Sequence, residues 1–349
     1  MADLRYRKED RVDMIHRTYS CRISRFLDAH GIPNVLWGEH VMNMFLIPVV
    51  TDVSSPVFLR HHKLQADELT TRQQLQQGIY FIIPDEHIDK ARDLLVEADF
   101  PPCQLGKYCG FDWPKSCHGI PYAHFNIVDR GPMNYYKPEL YGPNPREWYT
   151  LELYKKSEML WGAPEIPLGP PAQNDPDYWT INDERLPEVH RGFCLGRVVE
   201  ADYPVKIPSP ARYTESLTLL YFRDNYPEDT FRGSYWDYLL LDMHEVLQKH
   251  RLFTLRDLPP RTRSWFKILT ENIHERTHGD AEERFGEEMK KSGEVPEKSP
   301  WPSEHRMPPG WREDLKRLDE EEEERRKKKE EEEEQTRKNE EEVKEEQNA

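Results

Sequence analysis

No stretch of this sequence approaches the ~18 consecutive apolar residues of a membrane-spanning helix. The marks of several large enzyme classes are missing as well. There is no Walker-type phosphate loop, no Gly-x-Gly-x-x-Gly fingerprint and no Gly-x-Ser-x-Gly nucleophile elbow. Cysteine is scarce: Cys21, Cys103, Cys109, Cys117 and Cys194 are the five in 349 residues. An odd count at irregular spacing argues against a disulfide framework and for a reduced compartment. Met1 to Arg11 is charged throughout, unlike a secretory leader. The cytoplasm is the expected location, with the nucleus as the alternative. Cys103, Cys109 and Cys117, with His118 and His124 nearby, lack the Cys-x2-Cys pairs of a zinc site, so they read as ordinary thiols and no metal centre is expected.

A basic surface is also missing. Residues 312–349 hold 18 acidic and 11 basic side chains, a net of −7, which leaves −9 on the first 311 residues out of −16 for the chain. A moderately acidic body argues against general nucleic-acid binding. From Asp314 onward the sequence is low in complexity. Glu320 to Glu324, Arg325 to Lys329 and Glu330 to Glu334 set opposite charges about four residues apart, which favours a solvated helix. No apolar stripe runs through it, so a coiled coil is not expected.

What is present is an alternation of helix and strand. Val12, Ile15, Tyr19, Ile23, Phe26 and Leu27 recur at helical spacing, so a helix is expected from about Asp10 to His30, stopped by Gly31. Ile32 to Trp37 reads as a strand entering a turn at Gly38, and Val41 to Phe45 as a short apolar helix. Pro48 to Asp52 and Ile79 to Ile83 read as strands, followed by a helix with Ile88, Ala91, Leu94, Leu95 and Ala98 on one face.

Residues 53–77 interrupt this pattern. They are either a long surface loop or an insertion that splits one strand, and such long loops are uncommon in compact domains. Deletion of 53–77 is expected to leave the melting temperature unchanged or raised. A deleted chain that no longer folds in soluble form would place the segment in the core.

Pro101 to Pro204 is rich in Pro, Gly, Tyr and Trp, with one expected strand at Ala123 to Val128, a short helix within Lys155 to Trp161, and an extended wrap over Pro164 to Pro187. A helical module follows. Ser209 is a good N-cap and Pro210 a good first helical residue. A second helix is expected over Tyr235 to His250, and shorter ones around Pro259 and Pro260. Arg212 and Glu215, three residues apart, read as an ion pair or as a lining of the cleft between the modules. Beyond Glu275 apolar residues thin out and a linker is expected.

The run Trp37-Gly38-Glu39-His40 carries the functional reading. A strand, a Gly turn and a helix N-terminus offer free backbone N–H groups to a phosphate. Three blocks, Gly31 to Glu39, Lys155 to Trp161 with Asn174-Asp175-Pro176, and Ile207 to Leu217, resemble an expanded filamentous-fungal family of unassigned function whose N-terminal part resembles the nucleotidyltransferase fold. The resemblance spans roughly Val12 to Leu247.

It implies an α+β fold, alternating at the N-terminus, with a nucleotidyltransferase-like mixed sheet and helices over residues 1–204. A helical module at 205–275 and a charged linker and tail at 276–349 complete the expected organisation. It also implies Gly38 and Glu39 as the cofactor-binding candidates, where such enzymes carry Gly-Ser, and Asp52 and Asp129 as the catalytic carboxylate candidates.

Nucleotidyl transfer needs two carboxylates two positions apart on one strand to hold metal ions. Asp52 falls at the first place, but the second falls in Ile79-Tyr80-Phe81. Glu39 also sets a negative charge where a triphosphate would rest. The expected function is therefore a catalytically degenerate protein that binds an unidentified ligand or protein, with no cofactor. Two alternatives stay open. One is an active enzyme using magnesium with a nucleotide; the other is an accessory protein of a fungal secondary-metabolite pathway.

Overall fold

The computed structural model describes residues 4–5, 19–47, 78–104, 119–132, 146–188, 196–199, 201–225, 231–271 and 279–301. The chain divides into two units, Met1–Pro302 and Ser303–Ala349, and the second lies outside the described residues.

Helix α1, Ser20–Ala29, buries Cys21, Ile23, Phe26 and Leu27 on one face. It stops as its sequence predicts. Gly31 takes φ +74°, its N–H donates to the Asp28 carbonyl and the Ile32 N–H donates to the Leu27 carbonyl, both at 3.0 Å. Residues 10–18 of the expected first helix lie outside the described residues. Strand β1, Val35–Trp37, leads through Gly38 into the short helix α2, Glu39–Met44. Strand β2, Gly78–Ile83, is buried along its whole length, and a single 3-10 turn joins it to helix α3, Ile88–Glu97. Pro48 to Asp52 and residues 53–77 lie outside the described residues.

Strand β3, Ala123–Pro132, covers the expected Ala123 to Val128 and runs past it. Strand β4, Arg146–Lys155, was not expected. The polar residues among Tyr149-Thr150-Leu151-Glu152-Leu153-Tyr154 hide a regular alternation, and all six are buried. Helix α4, Lys156–Met159, follows at once.

These strands form a mixed four-stranded sheet in the order β1-β2-β4-β3. β1 runs antiparallel to β2, β2 parallel to β4, and β3 antiparallel to β4. The architecture is thus α+β with a mixed sheet, as the sequence leads one to expect. A central strand covered on both faces carries no polar side, which is why β2 reads as a continuous apolar run. On one face Phe125 meets Phe100 edge-on at 6.1 Å, and Phe100 meets Tyr19 at 6.5 Å.

Strands β5, Tyr178–Thr180, and β6, Lys206–Pro208, form a separate antiparallel pair beside β1. Helix α5, Pro210–Asn225, begins at the expected residue, and the Ser209 hydroxyl accepts from the Arg212 N–H at 3.3 Å. Arg212 pairs with Glu215 on its own helix and with Asp177 at 2.5 Å, which is the ion-pair reading of this motif.

Helix α6, Phe231–Glu245, continues into a π turn, Val246–His250. Helix α7, Pro260–Glu271, follows. Helix α8, Gly279–Lys291, occupies part of the stretch whose thin apolar content reads as linker. Phe285 and Met289, four residues apart, are both buried, and this narrow stripe is enough to dock it. No helix among the described residues is long and apolar enough to cross a membrane.

Candidate functional site

The Gly38 turn sits under helices α5 and α6, not at an open surface. Gly38 has φ +78° and ψ −153°, a conformation that side chains with a Cβ rarely adopt. A Cβ there would lie 2.4 Å from Cδ2 and 2.9 Å from Cε2 of Tyr80, so glycine lets the backbone press on that ring. Its carbonyl accepts the Val41 N–H at 3.0 Å and the Tyr213 hydroxyl, from α5, at 3.3 Å. The Tyr213 ring also lies 4.5 Å from that of Trp37.

Glu39, the first residue of α2, is 1% exposed. Its Oε1 accepts the Tyr235 hydroxyl of α6 at 2.5 Å, and its Oε2 has no hydrogen-bond partner among the described residues. Burial pushes this carboxyl up to about 8, against the Tyr235 hydrogen bond, and the Glu152 carboxylate pushes the same way. Next to it, His40 contacts the Tyr149 hydroxyl through Nε2 at 2.9 Å. Burial pulls the imidazole down to about 4, so it is neutral near pH 7.

Sheet pairing brings in a second carboxyl that sequence reading missed. Glu152 is in register with Tyr80 on β2 and with His124 on β3, so the three share one face. Thr150 and Tyr154, two positions to either side on β4, donate hydroxyl protons to its two oxygens at 2.6 Å each. Burial is the larger effect and pushes Glu152 up to about 7, while those hydrogen bonds and His124 pull it back. The signal in the sequence was the alternation from Thr150 to Tyr154, which sets Glu152 between two hydroxyl residues.

The expected site residues that are described do not gather in one place. Gly38 and Glu39 meet the tyrosines of α5 and α6 and lie within electrostatic reach of Glu152. Asp129 is on β3, with its backbone opposite Trp148, and nothing is described of its side chain. β1 and β3 are three strand positions apart in the sheet order, a lateral distance of roughly 14 Å from ordinary strand spacing. The backbone therefore does not carry Asp129 to the Gly38 turn. Asp52 lies outside the described residues, as do Cys109, Cys117 and His118.

What gathers is a buried set of hydroxyls and two carboxyls whose ionisation burial opposes. It is poorly matched to magnesium, which takes ionised carboxylates and several waters. Among the described residues no group of three or more His, Cys, Asp or Glu side chains is placed to hold a metal ion.

No protein-family model matches the chain, and no curated protein matches it. Among solved structures it is similar to an antigenic nucleotidyltransferase-like protein from Paracoccidioides brasiliensis. The identity is 11%, the match covers 74% of this chain and 89% of that one, and the TM-score is 0.34.

Proposed function

We propose that this chain is a catalytically degenerate nucleotidyltransferase-like protein whose fold serves a binding or regulatory role. One observation carries the reading. The backbone turn that would cradle phosphate oxygens is filled by the chain's own side chains: Tyr80 against Gly38, Tyr213 on the Gly38 carbonyl, and Tyr235 on Glu39. Two of these tyrosines come from helices α5 and α6, so the packing of these helices closes the turn. The strand beside the turn supports the reading too. Ile79, Tyr80, Phe81, Ile82 and Ile83 supply no carboxylate where two-metal transfer needs a pair.

No magnesium-dependent incorporation of labelled nucleotide into protein, RNA or small-molecule acceptors is expected. Magnesium with a nucleoside triphosphate is expected to leave the melting temperature unmoved, since a ligand that binds the native state raises it by mass action. The measurement is made with and without residues 53–77. Robust transfer that disappears in Asp52→Asn would establish the active enzyme instead. Transfer that survives Asp52→Asn would place an active site elsewhere in the chain.

A further inference from the structure

Glu39 ties together parts of the chain that are 196 residues apart in sequence, because its carboxyl takes the hydroxyl of Tyr235. One of its oxygens is partnered in this way, the other has no partner among the described residues, and the residue is closed off from water. The titratable groups around it come from every side. His40 is on its own helix, Tyr213 on α5, Tyr235 on α6, Tyr80 on β2 and Glu152 on β4. Behind these, Asp242 of α6 acts on Tyr213, and His124 of β3 acts on Glu152. Among the described residues, the charge acting on Glu39 across this cluster is of its own sign, from Glu152.

We propose that the buried Glu39 carboxyl makes the seat of α6 on the Gly38 turn a protonation-controlled latch. The closed packing tolerates Glu39 as a neutral acid, and loss of its proton favours an opened arrangement in which the carboxylate meets water, because the Tyr235 hydroxyl offsets only part of the cost of burying the charge. In the closed form an ionised Glu39 is a buried charge helped by the Tyr235 hydroxyl and its own backbone N–H and opposed by Glu152, which costs more than solvation in the open form. His40 stays neutral at neutral pH, and burial holds the Tyr213 hydroxyl well above its ordinary value, so neither changes charge as the latch works.

The sign follows from the two ends of the equilibrium. The carboxyl titrates at about 8 when closed and near its ordinary value of 4.5 when open to water. The closed form is therefore fully favoured below pH 4.5 and loses that advantage as pH rises through 8, beyond which the balance is flat. Between these limits the opening constant rises about tenfold per pH unit, so the neutral range lies on the slope.

Amide hydrogen exchange of the full chain across this pH range, corrected for the intrinsic rate, tests the latch. In the native sequence, protection of α6 is expected to fall about tenfold per pH unit and then level off near pH 8, while α1 and α3 show no such slope. Glu39→Gln keeps the neutral shape at every pH and is expected to flatten the α6 profile. Tyr235→Phe, measured in parallel, removes the hydroxyl that favours the charge and is expected to move the upper end of the slope to higher pH. A flat profile in the native sequence overturns the latch. So does an α6 slope that persists in Glu39→Gln, or an upper end that Tyr235→Phe leaves in place.

Discussion

Lys206→Met is expected to lower the stability of the fold by about 3–5 kcal/mol, the usual cost of stranding one member of a buried ion pair. Lys206 has no exposed side-chain surface, and its ammonium donates to both oxygens of Asp28, at 2.9 and 3.1 Å, and to the Gly169 carbonyl at 2.8 Å. Asp28 is also held by the Tyr203 hydroxyl at 2.7 Å, the Asn34 amide at 3.1 Å and the Gly169 N–H at 3.1 Å. This network fastens β6, and with it the entry to α5, onto the end of α1. Burial pulls the Lys206 ammonium below its ordinary value, while Asp28 pulls it back up.

Methionine matches the length of the stem but leaves a buried carboxylate without a counter-charge. The remaining donors soften the loss without replacing the cation. Urea unfolding reads the change directly, and a fall in melting temperature on the order of 10 °C accompanies it. The double variant Asp28→Asn with Lys206→Met removes both charges and is expected to recover most of the loss. A Lys206→Met chain within 1 kcal/mol of the native one, against the ~3–5 expected for a buried pair, would mean that water screens this site.

Gly38→Ala is the second large effect. Two costs act together: about 1–3 kcal/mol for holding a Cβ residue in this backbone region, and about 1–3 kcal/mol for overpacking the Tyr80 ring. Tyr80 is 1% exposed and meets Tyr154 edge-on at 6.1 Å, so the ring has no free direction in which to yield. Gly31→Ala separates the two costs. Gly31 also has positive φ, at +74°, but a Cβ there meets nothing within 4 Å. Its alanine variant is expected to lose only the conformational share, about 1 kcal/mol. Equal losses at the two positions in denaturant titrations would show that Tyr80 does not press on the Gly38 turn.

Local chemistry was legible wherever an element carries its own start, face or stop. The end of α1 at Gly31, the β1–Gly38–α2 turn, the passage from β2 to α3, and the Ser209–Pro210 entry to α5 depend on residues within a few positions of one another. β4 was missed for a different reason. Glu152 and Thr150 look like surface residues until neighbouring strands and helices bury them, and hydrophobic periodicity cannot report burial that polar residues share. The helix at Gly279–Lys291 escaped because two buried side chains are too few to stand out against its charges.

By itself, the sequence determined the strand–turn–helix order around Gly38, the glycine at the turn and the placement of a carboxyl one residue after it. Only the tertiary structure decided what that carboxyl does. Its partner Tyr235 lies on a helix almost two hundred positions away, and Glu152 reaches the same region through strand pairing. The physical reason is dielectric. A glutamate at a helix start in water is an ordinary anion, but among buried tyrosines and beside a second carboxyl it is held as a neutral acid. The spacing of residues sets the faces of helices and strands, and the packing of one face on another sets the charge.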